Sequence, residues 1–131
     1  MADTSRPLSP HLQVYKWQVQ MLTSILHRAT GIVLAIGTVI VAWGLAALAG
    51  GSESFAQFGA CVGSPLGLLV MFGWTWAFAY HLCNGLRHLV QDTGAGYAIP
   101  QFVRSSWLSI IGSLVITVLV WGFVFATGGA A

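Results

Sequence analysis

Charge is what this sequence has least of. Only 6% of its 131 residues are Asp, Glu, Lys or Arg, against roughly 25% in an ordinary soluble domain. That shortage excludes a water-facing surface over most of the chain. A net charge of +2 spread over five basic side chains offers no basic patch for nucleic acid. Cysteine is nearly as scarce. Cys61 and Cys83 are the only two, and about 22 residues of mostly helical rise part them, too far for a disulfide. Two thiols cannot make a four-cysteine iron–sulfur site, and there is no Cys-x-x-Cys-His haem attachment motif. A Gly-x-Gly-x-x-Gly dinucleotide fingerprint is also missing.

What remains is apolar and comes in long pieces. No charged residue occurs in Ala29–Ser52, Ser54–Leu86 or Ser105–Ala131. A helix needs about 20 apolar residues to cross the ~30 Å hydrocarbon core. The expected fold is therefore all-α and integral to the membrane, one anchor domain over 1–131 with spans near 25–49, 66–89 and 107–126. Ala47-Leu48-Ala49 resembles a signal cleavage site, but the preceding apolar stretch exceeds the roughly 7–15 residues of a signal peptide, and two more spans follow.

Topology follows from the basic residues. With three crossings, Arg6, Lys16, Arg28, Arg87 and Arg104 all fall on one side. The positive-inside rule puts the N-terminus in the cytoplasm and the C-terminus outside. Trp17 and Trp107 are expected at the inner interface, Trp43 and Trp121 near the outer one. Residues 1–20 form a polar cytoplasmic lead in which Pro7 and Pro10 block a continuous helix. Gly50-Gly51-Ser52 stops the first span and Pro65 starts the second. Gly94-Ala95-Gly96 and Pro100 mark an inner loop. Three helices with few polar groups to satisfy one another suggest a partner within the membrane.

Ionisable groups inside a bilayer are costly, so each is a functional candidate. One cluster is Ser24-Ile25-Leu26-His27-Arg28-Ala29-Thr30-Gly31. At 3.6 residues per turn, Ser24, Arg28 and Gly31 share a face with His27 beside them. A hydroxyl and a guanidinium one turn apart suit a carbonyl or carboxylate oxygen. Equally, the Arg can snorkel to headgroups while the Ser caps the helix. The second cluster is a stripe of His81, Asn84, Gly85, His88 and Asp92. His81 lies within the hydrocarbon, His88 and Asp92 near the inner interface. A deep neutral imidazole can ligate haem iron or hydrogen-bond a neighbouring helix. Gly85 would let a flat macrocycle approach the backbone. His88 with Arg87 can neutralise propionates or suit the helix C-terminus, and Asp92 pairs with Arg87 or caps the loop.

At these residues the chain resembles a known family. The segments Arg6-Pro7-Leu8-Ser9-Pro10-His11-Leu12 and Ser24–Gly31, and His81 followed by Gly85, Arg87, His88, Leu89 and Asp92, look like the cytochrome b556 subunits of succinate dehydrogenase, the larger membrane anchor of respiratory complex II. The resemblance covers nearly the whole chain. It implies that His81 is one axial ligand of haem b, the other coming from a small hydrophobic anchor subunit. It also implies that His27, Arg28 and His88 lie near the haem propionates and that Ser24 and Arg28 contribute to a ubiquinone site. FAD and iron–sulfur clusters would reside on a flavoprotein and an iron–sulfur subunit, so the chain would be part of an enzyme without being catalytic alone. Its expected location is the bacterial inner membrane, or the mitochondrial inner membrane in a eukaryote.

Three other readings share part of this pattern. A fumarate reductase anchor would use the same fold in reverse. A free-standing b-type cytochrome would need both ligands in one chain, with His27 and His88 as candidates and no task for His81. A haem-free structural anchor or small transporter would carry no Soret band.

Overall fold

A computed structural model describes residues 14–128; the Arg6–Leu12 motif, Pro7 and Pro10 lie outside the described residues. Four helices follow one another: α1 (Val19–Ala49), α2 (Ser52–Val62), α3 (Pro65–Asp92) and α4 (Ile99–Ala126). Helices α1, α3 and α4 are long and apolar enough to cross a membrane, as the uncharged runs require. Each is longer than expected. The 31 residues of α1 reach about 46 Å, so the helix projects beyond a ~30 Å core or tilts within it. The extra turns sit at the end bearing Arg28, Arg87 and Arg104, where the helical backbone satisfies its own hydrogen bonds through the interface.

Helix α2 fills the connection between the first two spans, to which the sequence analysis assigned no element. Its small and polar residues gave too little hydrophobicity to register as a span, yet Phe55, Phe58 and Val62 repeat at helical spacing. Phe58 meets Trp43 edge-on at 4.9 Å and lies over Gly44, where an added Cβ would come within 2.9 Å of its ring. Gly51, at φ 99°, turns the chain from α1 into α2. Ser64 caps α3 by accepting the Gly67 N–H at 3.1 Å, with Pro65 in the first turn as expected. Pro100 likewise lies in the first turn of α4 rather than in the loop before it.

The packing is apolar outward and polar inward. Ile32, Ile36, Val39, Leu69, Val118 and Leu119 are more than 60% exposed, whereas the buried set includes Thr23, Thr30, Ser106, Ser109, Ser113 and Thr117. Hydrocarbon is as apolar as leucine, so nothing drives large aliphatic side chains inward; small side chains at the seams let helices approach closely instead. On α4 the seam runs Ser106, Ser109, Ser113, Thr117, Trp121. Its hydroxyls donate to their own helix, Ser106 to Phe102 O at 2.9 Å and Thr117 to Ser113 O at 2.8 Å. They are thereby satisfied without a partner helix. Trp121 is buried against Phe72 and Phe125, not placed at an outer aromatic belt. Helix α3 is the centre, packed on α1 and α4. Gly37 admits the Trp74 indole, which a Cβ there would strike. The buried Tyr80 hydroxyl donates to Thr23 O at 3.0 Å, tying α3 to α1.

Candidate functional site: a histidine cluster between α1 and α3

Tyr80 is clamped to α1, so the next residue, His81, is held against the same helix. It lies 11 residues from the end of α3, about 17 Å of helix rise. Its Nδ1 stands 3.1 Å from the His27 carbonyl oxygen and 3.3 Å from the Thr30 hydroxyl. A carbonyl oxygen can only accept, so Nδ1 carries the proton. The Thr30 hydroxyl spends its own proton on Leu26 O at 2.7 Å and His27 O at 3.0 Å, which leaves its oxygen to accept from His81 as well. A neutral imidazole protonated at Nδ1 presents a lone pair at Nε2, and no hydrogen bond among the described residues engages that atom. This is the arrangement in which a backbone carbonyl orients a metal-ligating histidine and strengthens its free nitrogen as a donor.

The rest of the cluster fixes the ring. The His27 imidazole stacks on His81, centroids 3.9 Å apart and planes 11° from parallel. Gly31 faces the ring edge; a Cβ there would stand 3.1 Å from His81 Cε1. Gly85 clears His27 more loosely, with a Cβ at 3.9 Å from its Cε1. His88, exposed towards the helix end, lies 5.1 Å from the His27 ring at 60°. Its Nε2 accepts from the fully buried Asn84 amide at 3.1 Å. That amide is oriented in turn by Arg87, a pure donor, which gives a proton to Asn84 Oδ1 at 3.4 Å. The His27 Nδ1 is buried and has no partner among the described residues.

Of the residues singled out in the sequence, His27, Gly31, His81, Asn84, Gly85 and His88 come together here. Ser24 and Arg28 lie one turn apart on α1 at the same end. Ser24 is half-buried and Arg28 exposed. Helix α1 starts at Val19 with Gln18 as its N-cap, so Ser24 stands in the second turn and is not the cap. Arg87 does not pair with Asp92. It is 8% exposed, turned to Ser105 Oγ at 3.0 Å and over the Phe102 ring at 4.3 Å, while Asp92 is exposed. It reaches the imidazoles only through Asn84. Thr30 is the member of this cluster to which the sequence analysis gave no part. Its signal was position, three residues after His27 and thus over that residue's carbonyl.

Residues 2–121 match the family described as succinate dehydrogenase/fumarate reductase transmembrane subunit. The chain is 45% identical over 122 residues to the succinate dehydrogenase cytochrome b556 subunit of Paracoccus denitrificans, covering 91% of this chain and 94% of that one. It is 39% identical over 116 residues to the subunit of the same name from Rickettsia felis, covering 88% and 90%. To the mitochondrial succinate dehydrogenase cytochrome b560 subunit of Mus musculus it is 40% identical over 119 residues, covering 89% of this chain and 68% of that one. The chain belongs to the family of succinate dehydrogenase/fumarate reductase transmembrane subunits.

Proposed function

We propose that this chain is the membrane-anchor cytochrome b subunit of a succinate:quinone oxidoreductase, with His81 Nε2 as one axial ligand of haem b. The observation that carries the reading is the His81 hydrogen bond to the His27 carbonyl, which holds the imidazole as the tautomer whose lone pair is at Nε2. The names of the relatives from Paracoccus and Mus, both cytochrome b subunits of succinate dehydrogenase, support succinate as the electron source over a fumarate-reducing role. Bound haem would supply a one-electron store inside the membrane. His81 would hold its iron, His27 and Thr30 would hold His81, and His27, Arg28 and His88 would stand near its propionates. The second axial ligand would come from a small hydrophobic anchor subunit.

Quinone reduction is the step this chain would assist. Two electrons arriving from a flavoprotein and an iron–sulfur subunit, with two protons from the cytoplasmic side, convert the two quinone carbonyls of ubiquinone to hydroxyls. The Ser24 hydroxyl and Arg28 guanidinium can donate to one carbonyl oxygen and stabilise the negative charge that grows on it. Arg28 is exposed at the charged end of the bundle, where a quinone ring can meet a soluble donor while its isoprenoid tail stays in lipid. The orientation that makes this end cytoplasmic rests on the placement of every Lys and Arg, and the membrane proposed for the complex is the bacterial inner membrane, or the mitochondrial inner membrane in a eukaryote.

The test separates quinone reduction from upstream electron flow. Arg28→Lys keeps the charge but loses the planar fork, and Ser24→Ala removes one hydroxyl. In the assembled complex each should slow succinate–quinone reduction about tenfold or more, matching roughly 1.5–3 kcal/mol for a charge-assisted hydrogen bond. Reduction of a dye that accepts electrons upstream should be spared. Equal quinone and dye activities in both variants, with the complex intact, would refute the quinone role.

A further inference from the structure

Arg87 is a charged side chain buried within this fold, and beyond the Phe102 ring beneath it no carboxylate among the described residues answers its charge. It is 8% exposed, and its hydrogen bonds go to the neutral Ser105 and Asn84. Its Nη2 has no partner among the described residues. Asp92 is exposed and stands about 140° around α3 from Arg87. The other acid among the described residues, Glu53, begins α2 at the opposite end of the bundle. One turn further along α3, Gln91 is 6% exposed with its Nε2 also unpartnered. A buried charge and a buried amide each need an acceptor.

Both side chains line one groove of about 330 Å³ between α3 and α4, whose remaining walls include Cys83, Leu86, Val90 and Leu108. An occupant must bring a negative, oxygen-rich head to the two donors and an apolar body to those walls. Depth points the same way, because Arg87 lies five residues from the end of α3, about 8 Å of rise, close to headgroup level. Basic pockets between membrane helices on the cytoplasmic side take phospholipid heads. The direction of the groove selects lipid over protein. Leu86 and Val90 stand about 140° and 180° around α3 from His81, away from the face on which the haem site proposed above requires the partner anchor, and the choice of lipid over protein rests on that proposed site.

We propose that the α3–α4 groove binds one membrane phospholipid, its phosphate accepting from Arg87 Nη2 and Gln91 Nε2 and its acyl chain lying along Leu86, Val90 and Leu108. Leu86 and Leu108, 55% and 59% exposed on the rim, turn aside as the phosphate seats. The lipid then supplies the counter-charge that the described residues lack and seals α4 to α3 at that end.

The test uses the assembled complex, stripped of lipid in detergent, with thermal unfolding read as phosphatidylglycerol is added. Diacylglycerol of the same chains supplies the tail alone, and inorganic phosphate the head alone. The native complex should be stabilised by phosphatidylglycerol and by neither control at equal concentration. Gln91→Leu removes one donor, and Leu108→Trp fills the groove; both leave the bonds of Arg87 to Ser105 and Asn84 in place. Each should raise the phosphatidylglycerol concentration needed by about tenfold or more. An equal response to diacylglycerol would overturn phosphate recognition, and an equal response to inorganic phosphate would overturn a lipid occupant. Unchanged variants would overturn the site, as would no response in the native complex, the result expected if a partner carboxylate fills the groove. The haem spectrum, recorded on the same samples, reports separately on the proposed haem site.

Discussion

Replacing Gly31 by alanine adds one carbon at the edge of His81. That Cβ would stand 3.1 Å from Cε1, closer than ordinary contact, so the imidazole must shift by a few tenths of an ångström. It has little room to do so. One face is stacked on His27 at 3.9 Å, and Nδ1 is tied to the His27 carbonyl at 3.1 Å. Overpacking of this kind costs about 1–3 kcal/mol. The alanine also returns about 1 kcal/mol of helix propensity, so bulk stability alone would hide part of the effect. Gly85→Ala provides the comparison, since it gives the same propensity gain and meets His27 only at 3.9 Å. The difference between the two variants isolates the crowding at His81. If His81 holds haem iron, crowding of about 1–3 kcal/mol should loosen haem about 5- to 150-fold in Gly31→Ala relative to Gly85→Ala. The assay is transfer of haem from the purified complex to an excess of a haem-scavenging apoprotein, followed at the Soret band. If both variants hold haem equally tightly, the argument that Gly31 makes room for a ligating imidazole is refuted.

Other consequences concern topology and packing. An alkaline phosphatase fusion at Ala131 should be active and one in the loop before α4, at Gly94–Gly96, inactive; the reverse pattern would move the Ser24–Arg28 pair to the outer face. Gly37→Ala should loosen α1 from α3 by about 1–3 kcal/mol, because its Cβ would strike the Trp74 indole. An unchanged thermal midpoint of the complex would count against that contact. Exchanging Trp121 for alanine should destabilise the bundle by about 3–5 kcal/mol as a buried ring is lost, whereas a belt residue at the lipid surface would tolerate the change.

The spans were legible in the sequence because the bilayer imposes a length and forbids charge, two properties that need no knowledge of tertiary contacts. Their extra turns were not, since Val19–Ser24 and Ile99–Ser106 are polar enough to read as loops and helical only because the interface still rewards internal hydrogen bonding. Helix α2 escaped for a related reason. It buries one edge on Trp43 and Gly44, a contact invisible without α1 beside it. Helical periodicity gathered His81, Asn84, Gly85, His88 and Asp92 on one stripe, of which all but the exposed Asp92 meet in the cluster. Which atom of His81 is left to bind was beyond the sequence, because it depends on the His27 carbonyl and Thr30 hydroxyl reaching across from α1. Arg87 was assigned a carboxylate partner in its own helix when tertiary packing offered Ser105 and the Phe102 ring on α4. Trp121 was placed by its distance from a helix end, while the small-residue seam around it was what drew it inside.

Ligation of haem b by His81 Nε2 can be read from a reduced-minus-oxidised difference spectrum of the native membrane complex. The native complex should show a b-type spectrum. His81→Ala should lose or strongly weaken it, and His88→Ala should retain it with a shifted potential. A full-strength bis-histidine spectrum in the His81→Ala complex would refute ligation by His81.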